Sequence, residues 1–231
     1  MPAEGTGAVV VLVAARDEAD SIGATIDALK EAFPDGRIVV ADDGSRDGTS
    51  DRALAHGAEV VSRRQPHGKG GSVTAAAATV EPLTELGDPP IFLLCDGALG
   101  ASARELRRLV NAVDAGECDL AVAAFARRIG GGFGIALRFA RWVIRSRCGY
   151  RASAAISGQR AMRAEVLRAV LPFAYGYGME AAMTIDAIRA GFAVREIVLD
   201  LQHRPTGRTV AGFAHRARQL VDFVRVWWAR R

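Results

Sequence analysis

The stretch IFLLCDGALG, Ile91 to Gly100, constrains this chain more than any other: four apolar residues and a cysteine run straight into Asp96. A run this short, apolar at every position instead of every second one, reads as a strand covered on both faces. Strands of that kind belong to parallel sheets. The first carboxylate beyond one stands where the sheet opens to solvent, the edge at which open α/β folds bind ligands. Asp96 can there hold a divalent cation or a ribose hydroxyl.

The same pattern recurs along the chain. VVVLVA (Val9 to Ala14) and Arg37 to Ala41 are short β-rich runs, and the polar turns ARDEAD and DDGSRDGT follow them. Asp20 or Ser21 can cap a helix whose apolar residues Ile22, Ile26, Leu29 and Phe33 recur at helical spacing before Pro34 and Gly36 stop it. A helix over Thr49 to His56, a strand over Glu59 to Val61 and an alanine-rich helix over Ser72 to Val80 follow. Beyond Gly100 come a helix to Asp114, a strand over Leu120 to Ala124 and the glycine hinge IGGGFG. A helix carrying Arg138, Arg141 and Arg145 on one face is next, then SGQRAM, a helix over Ala164 to Val170, the turn AYGYGME and a helix to Arg189. A strand over Ala193 to Leu199 and a tail helix, with Phe213, Leu220, Val224 and Trp227 on one side, complete the chain. Repeated alternation of strand and helix predicts an α/β fold, a mostly parallel central sheet with helices on both faces.

Length and charge narrow the class. A chain of 231 residues suits a single domain spanning 1–231. Residues 1–126 carry 11 Lys and Arg against 20 Asp and Glu, a net of −9, whereas residues 127–231 carry 19 against 6, a net of +13. The basic half is all arginine, which suggests an anionic substrate or surface, with solvated arginines as the plain alternative. Nucleic acid is a third possible anion, which so few aromatics disfavour. Cys95, Cys118 and Cys148 form no CxxC pair, so they read as free thiols. No apolar run reaches the roughly 20 residues of a membrane span, and the expectation is a cytoplasmic protein.

The strand ends at Ala14, Ala41 and Cys95 should meet at one sheet edge and form a nucleotide site there. The usual phosphate loops are missing: the first turn, AARDEAD, contains no GxGxxG, and HGKGGS has Gly70 where a P-loop needs Ser or Thr. VLVAARDEADSI, VVADDGSRDGT, GKGGSV, FLLCDGALG, SGQRAM, GYGME and HRPTGRT, in that order, instead resemble the inverting family 2 glycosyltransferases of GT-A fold. Within that group the chain is similar to polyprenyl-phosphate sugar transferases such as dolichol-phosphate mannose synthase and, more distantly, to glucosyl-3-phosphoglycerate synthase.

The resemblance implies a hexosyltransferase that uses a nucleotide diphosphate sugar. Residues 1–100 would be its nucleotide-binding half and residues 101–231 its acceptor half, ending in the basic tail helix. Ala15, Arg16 and Glu18 match the loop that contacts the nucleoside, and Asp43, more than Asp42, is the second acceptor for base or ribose. Ser45, Asp47 and Gly48 equally suit an ordinary turn and helix cap. Lys69 would meet base or phosphate, as would Arg204 and Arg208, with solvated side chains as the alternative. Gln159, Arg160 and Glu180 would face the acceptor; Glu180 is a candidate base for a hydroxyl, superfluous if the acceptor is a phosphate, and alternatively a helix cap.

Where the family carries D-x-D, this chain reads Asp96, Gly97, Ala98, so the second carboxylate is missing. The expected divalent cation, Mn²⁺ or Mg²⁺, would rest on Asp96 and on His203, which matches a histidine ligand of glucosyl-3-phosphoglycerate synthase-like enzymes. His203 as a simple hydrogen-bonding residue is the alternative. Asp96 and Arg208, with Glu180, are the candidate catalytic residues. Ala154 replaces the aspartate that lipid-phosphate enzymes often carry three residues before the Ser157-Gly158 pair. The acceptor is therefore read as anionic, either a polyprenyl phosphate met by peripheral contact at the inner face of the membrane or a small soluble anion. A degenerate sugar-nucleotide binder without turnover is the remaining reading.

Overall fold

The computed structural model describes residues 8–63, 65–66, 68–85, 88–126, 134–201 and 210–231; for 85, 134, 135, 177 and 210–219 it describes the backbone only. A seven-stranded sheet runs through the molecule in the order β3-β2-β1-β4-β6-β5-β7. Its strands are β1 (Val9–Ala15), β2 (Arg37–Asp42), β3 (Glu59–Ser62), β4 (Ile91–Asp96), β5 (Leu120–Phe125), β6 (Arg160–Met162) and β7 (Val194–Leu199). All pairings are parallel except those of β6, which lies antiparallel between β4 and β5. The α/β architecture is the one the alternation predicts. The exception, β6, grows out of SGQRAM, three residues with no strand pattern of their own.

Side chains alternate across each strand, so β1 divides its valines and leucine between two cores. Val9, Val11 and Val13 face a layer that includes helix α1 (Ala19–Ala32) and α4 (Arg107–Asp114), which a 3₁₀ segment, Gly100–Leu106, precedes. Val10 and Leu12 face α3 (Gly68–Val80), α6 (Ala164–Val170) and part of α7 (Met179–Arg189). Ile22, Ile26 and Leu29 of α1 are fully buried, as their spacing requires, and each contributes about 1.5–3 kcal/mol of burial. Short α2 (Thr49–Ala55) covers the β2–β3 side.

A third cluster joins α5 (Gly134–Cys148), the other face of α7, and α8 (Val210–Ala229). Arg138, Arg141 and Arg145 are exposed on α5, as expected. On α8 the expected face is rotated: Phe223 and Val226 enter the core while Val224 stays exposed. The side chain of Phe213 and the hinge residues before Gly134 lie outside the described set.

Two long-range devices shape the loops at the sheet edge. Asp20 and Ser21 do not cap α1, because the helix begins at Ala19; the Asp47 carboxylate, from the β2–α2 loop, accepts the Ala19 N–H at 2.9 Å instead. Buried Thr25 of α1 donates to the Gly97 carbonyl (2.8 Å) and accepts from the Gly100 N–H (2.8 Å), holding the loop after β4 against α1. Replacing Thr25 by the near-isosteric valine leaves both backbone groups unpaired. We expect Thr25→Val to lower unfolding free energy by about 1–3 kcal/mol in urea titration; an unchanged midpoint would show that the loop is held by other contacts.

Candidate functional site

The carboxyl ends of β1, β2 and β4 meet as expected. Ala14 pairs in register with Ala41 on one side and Asp96 on the other, and Ala15 pairs with Asp42. The turn after β2 is a clamp for the turn after β1. Asp42 is structural: its carboxylate accepts the Ser45 N–H (3.0 Å) and the hydroxyls of Ser45, Ser50 and Ser62. Ser45 Oγ then accepts the Asp17 N–H (2.9 Å), Thr49 Oγ1 accepts the Glu18 N–H (2.9 Å), and Asp47 also accepts the Thr49 N–H at 3.1 Å. Asp17 adopts a left-handed backbone, φ 53°, a region that aspartate tolerates better than most non-glycine residues. The turn and cap reading of Ser45 and Asp47 thus describes how they hold the first loop.

At the floor of the site lies an ion cluster. Lys69 Nζ donates to Asp96 Oδ1 at 2.6 Å and lies 3.0 Å from Glu180 Oε1. Asp96 Oδ2 accepts from Gln159 Nε2 at 2.6 Å, and Gln159 Oε1 in turn accepts from Ser157 Oγ. Continuing the antiparallel register of β4 with β6 sets Gly158 opposite Asp96. A glycine there leaves the lysine its place, since a Cβ would overlap Lys69 Nζ and press on both Asp96 oxygens. Burial alone would lower the Lys69 pKa, but the charges of Asp96 and Glu180 together outweigh it, so the ammonium is held above its usual range.

Arg160 was expected at the acceptor and is instead in the core, with none of its surface exposed. Its side chain donates to the Ser157 carbonyl and to Thr184 Oγ1, both at 2.9 Å. Burial pushes its guanidinium down to about 10, partly offset by Glu180, Glu196 and Tyr150, which leaves it cationic at neutral pH. It supports the cluster from behind. Gln159, also expected at the acceptor, is buried and orients Asp96. Glu180, buried beside Lys69, serves the same cluster. Cys95, next to Asp96, is a buried thiol that burial raises far above its usual range.

Over this floor opens a cleft of about 780 Å³, within the size range of small-molecule sites. Ala15, Arg16, Glu18, Asp43, Lys69 and Asp96 all line it. Arg16 Nη1 lies 3.8 Å from Asp43 Oδ2, and Asp43 also accepts the Gly68 N–H at 3.0 Å, which fixes the start of α3 at the cleft. One oxygen of Glu18 is taken by Ser21 Oγ at 2.9 Å. Ala98, which stands where the resembled family carries its second carboxylate, lines the cleft. The opposite wall was not legible in the sequence. It comes from Tyr175 and Gly176 before α7 and from Val221, Asp222 and Arg225 of α8. Gly176, at φ 64°, leaves room for the Asp222 carboxylate, which Arg225 meets at 3.2 Å. His203, Arg204 and Arg208 lie outside the described residues.

A divalent cation needs several oxygen ligands. Among the described residues no three His, Cys, Asp or Glu converge to hold one. Both oxygens of Asp96 already accept N–H donors, and Ala98 has none to add, so the described residues do not by themselves complete a cation site. They fit an anion better: a protonated lysine at the first turn of a 13-residue helix, over glycines that permit close approach.

Comparison with known proteins shows the family of the chain. Residues 10–171 match the family model described as Glycosyl transferase family 2. Over 217 residues the chain is 29% identical to the undecaprenyl-phosphate mannosyltransferase of Micrococcus luteus, covering 87% of this chain and 86% of that one. It is 30% identical to the glucosyl-3-phosphoglycerate synthase of Mycolicibacterium paratuberculosis, covering 92% of this chain and 70% of the relative. Among solved structures, the glucosyl-3-phosphoglycerate synthase of Mycobacterium tuberculosis in complex with phosphoglyceric acid superposes with a TM-score of 0.76 at 28% identity, over 95% of this chain and 80% of that one. The same synthase with Mn²⁺, UDP-glucose and phosphoglyceric acid gives 0.75 at 28% identity, over 96% and 80%.

The glycine opposite Asp96 offers a direct test of the cluster. Lys69 Nζ ends a flexible side chain, so Gly158→Ala should fold, with a thermal midpoint lowered by no more than about 2–4 °C. Its nucleoside diphosphate affinity should fall about tenfold or more in calorimetric titration, because the lysine must leave its place. Unchanged affinity would show that the Lys69–Asp96 pair has no part in binding.

Proposed function

The chain belongs to glycosyl transferase family 2 and is a nucleotide-sugar-dependent glycosyltransferase of GT-A fold, and on that premise we propose that it transfers a hexose to an acceptor bearing a phosphate. The observation that carries this reading is the state of Glu180. A hydroxyl acceptor needs a base in hydrogen-bond reach, and the carboxylate that the resemblance nominates is buried under the Lys69 ammonium at 3.0 Å. Asp222, the carboxylate on the α8 wall, is paired with Arg225. A phosphate oxygen is already nucleophilic and needs no base. It attacks the anomeric carbon, the bond from that carbon to the diphosphate oxygen breaks, and the electron pair leaves on the nucleoside diphosphate.

The donor lies along the cleft in this reading. Its nucleoside meets Ala15, Arg16, Glu18 and Asp43, and its diphosphate meets Lys69 at the start of α3, with Arg204 and Arg208 as further cations. The leaving charge can be met by a divalent cation on Asp96 and His203 or by the chain's own cations; Mn²⁺ accompanies UDP-glucose in the related synthase. The engaged oxygens of Asp96 favour the chain's own cations.

A lipid phosphate is the favoured acceptor because of one surface. Phe139, Trp142, Trp227 and Trp228 form a continuous aromatic ladder across α5 and α8, with successive centroids 5.5, 5.7 and 6.3 Å apart. Trp142 and Trp228 remain 50% and 57% exposed, Arg138, Arg141 and Arg145 flank them, and Arg231 lies 3.5 Å over the Trp228 ring. Half-exposed tryptophans among arginines suit the interface of an anionic bilayer. Val221 and Arg225 of the same α8 reach the cleft. No helix among the described residues is long and apolar enough to cross a membrane, so the contact would be peripheral. The second reading, a small soluble phosphate-bearing acid, is supported by the similarity to the synthase structures.

Turnover of a labelled nucleotide sugar separates the two. With polyprenyl phosphate in phosphatidylglycerol vesicles we expect transfer, and Trp142→Ser with Trp228→Ser should reduce both vesicle co-sedimentation and transfer about tenfold, leaving nucleotide binding unchanged. Transfer to 3-phosphoglycerate alone, with no vesicle binding, would establish the soluble reading in its place.

A further inference from the structure

We propose that Lys69, in place of a divalent cation, is the charge that holds the donor's diphosphate in this chain; the proposal rests on the donor-site reading above. Three observations carry it. The first is position: the ammonium sits at the cleft floor between Asp96 and Glu180, 2.6 and 3.0 Å away, where the strand edge and the start of α7 converge. That is the place a cation between two carboxylates would take.

The second is accommodation. Gly158 lacks the Cβ that would displace Nζ, and Gly68 and Gly70 flank the lysine at the start of α3. Gly70 packs so closely on the Ala174 carbonyl that no side chain fits there, which fixes the first turn of α3 beside the cleft. The positive end of that helix and the lysine therefore act on the same anion.

The third is the fate of the carboxylates. Asp96 gives one oxygen to Lys69 and the other to Gln159, and the neighbour that would have completed a two-carboxylate ligand set is Ala98. A metal at this point has to evict the lysine from Asp96, whereas a diphosphate does not. An ammonium has three N–H donors; Asp96 and Glu180 take two, and the third can meet a phosphate oxygen at the mouth of the cleft. Glu180 then acts as a positioning residue that keeps the lysine charged and in place. That remaining N–H is already in position as charge develops on the departing oxygen.

The test is calorimetric titration with UDP and with GDP, each in EDTA and in Mn²⁺, on the full chain. We expect the nucleotide that binds to do so in EDTA within about threefold of its affinity in Mn²⁺, and Lys69→Met to weaken binding in EDTA by about 10- to 100-fold. Removing the lysine leaves Asp96 and Glu180 facing one another without a counter-charge, so Mn²⁺ should restore much of the loss. Ala98→Asp, which keeps Lys69, should make binding more dependent on Mn²⁺ than in the parent chain, and it decides the matter even if Lys69→Met fails to fold. Binding of the parent chain that disappears in EDTA, or Lys69→Met binding like the parent chain in EDTA, would overturn the proposal while leaving the donor site intact. Failure of both nucleotides to bind in any condition would overturn the donor site and the proposal together.

Discussion

The contact between Lys69 and Asp96 depends on much of this structure and governs what the cleft can hold. An ammonium and a carboxylate at 2.6 Å, each about a quarter exposed, have given up much of their hydration, and the loss is offset only if the remaining donors and acceptors are satisfied. Most of them are: Glu180 takes a second N–H of the lysine, Gln159 takes the second oxygen of the aspartate, and the third N–H of the lysine faces the cleft in the proposed reading. Each of those partners is fixed in turn. Gln159 is buried at the start of β6, and Glu180 begins α7, whose two faces are packed into different cores. The cluster therefore joins β4 and α3 to the second half of the chain by charge as well as by packing.

That linkage gives the cleft two walls of different character. One is the clamped loop after β1, held by the Asp42, Ser45, Asp47 and Thr49 network and lined with backbone and carboxylates. The other is α8 with the turn at Gly176, which presents Asp222 and Arg225. The same helix carries Trp227 and Trp228 into the aromatic ladder, so the cleft wall and the aromatic, arginine-rich surface are parts of a single rigid element.

Much of the first half was legible residue by residue. The apolar runs became β1, β2 and β4, the spacing of Ile22, Ile26 and Leu29 became the buried face of α1, and Asp42 proved to be the structural member of its pair. What misled was anything whose partner is far away in sequence. Asp47 caps a helix that begins 28 residues earlier, which displaces the expected caps Asp20 and Ser21. SGQRAM carries no strand signal, yet it inserts antiparallel between β4 and β5, and that insertion turns Arg160 into the core and Gln159 onto Asp96. The face of α8 was misjudged because it packs on two helices at once, and a single apolar stripe does not describe that contact.

The sequence by itself determined the parts: strands with period-2 or continuous burial, helices with period 3.6, the carboxylate Asp96 at a strand end, and the absence of a second one at Ala98. These are local properties, set by side-chain chemistry within a few residues. Only the tertiary structure decided which charges meet. Lys69 reaches Asp96 across 27 residues, and Gln159 reaches it across 63, because β6 enters the sheet beside β4 and Gly158 leaves the space that the ammonium fills. No local pattern encodes that meeting, since it depends on the register of one three-residue strand. Asp96, which the sequence offers as a metal ligand, thereby becomes the anchor of a lysine.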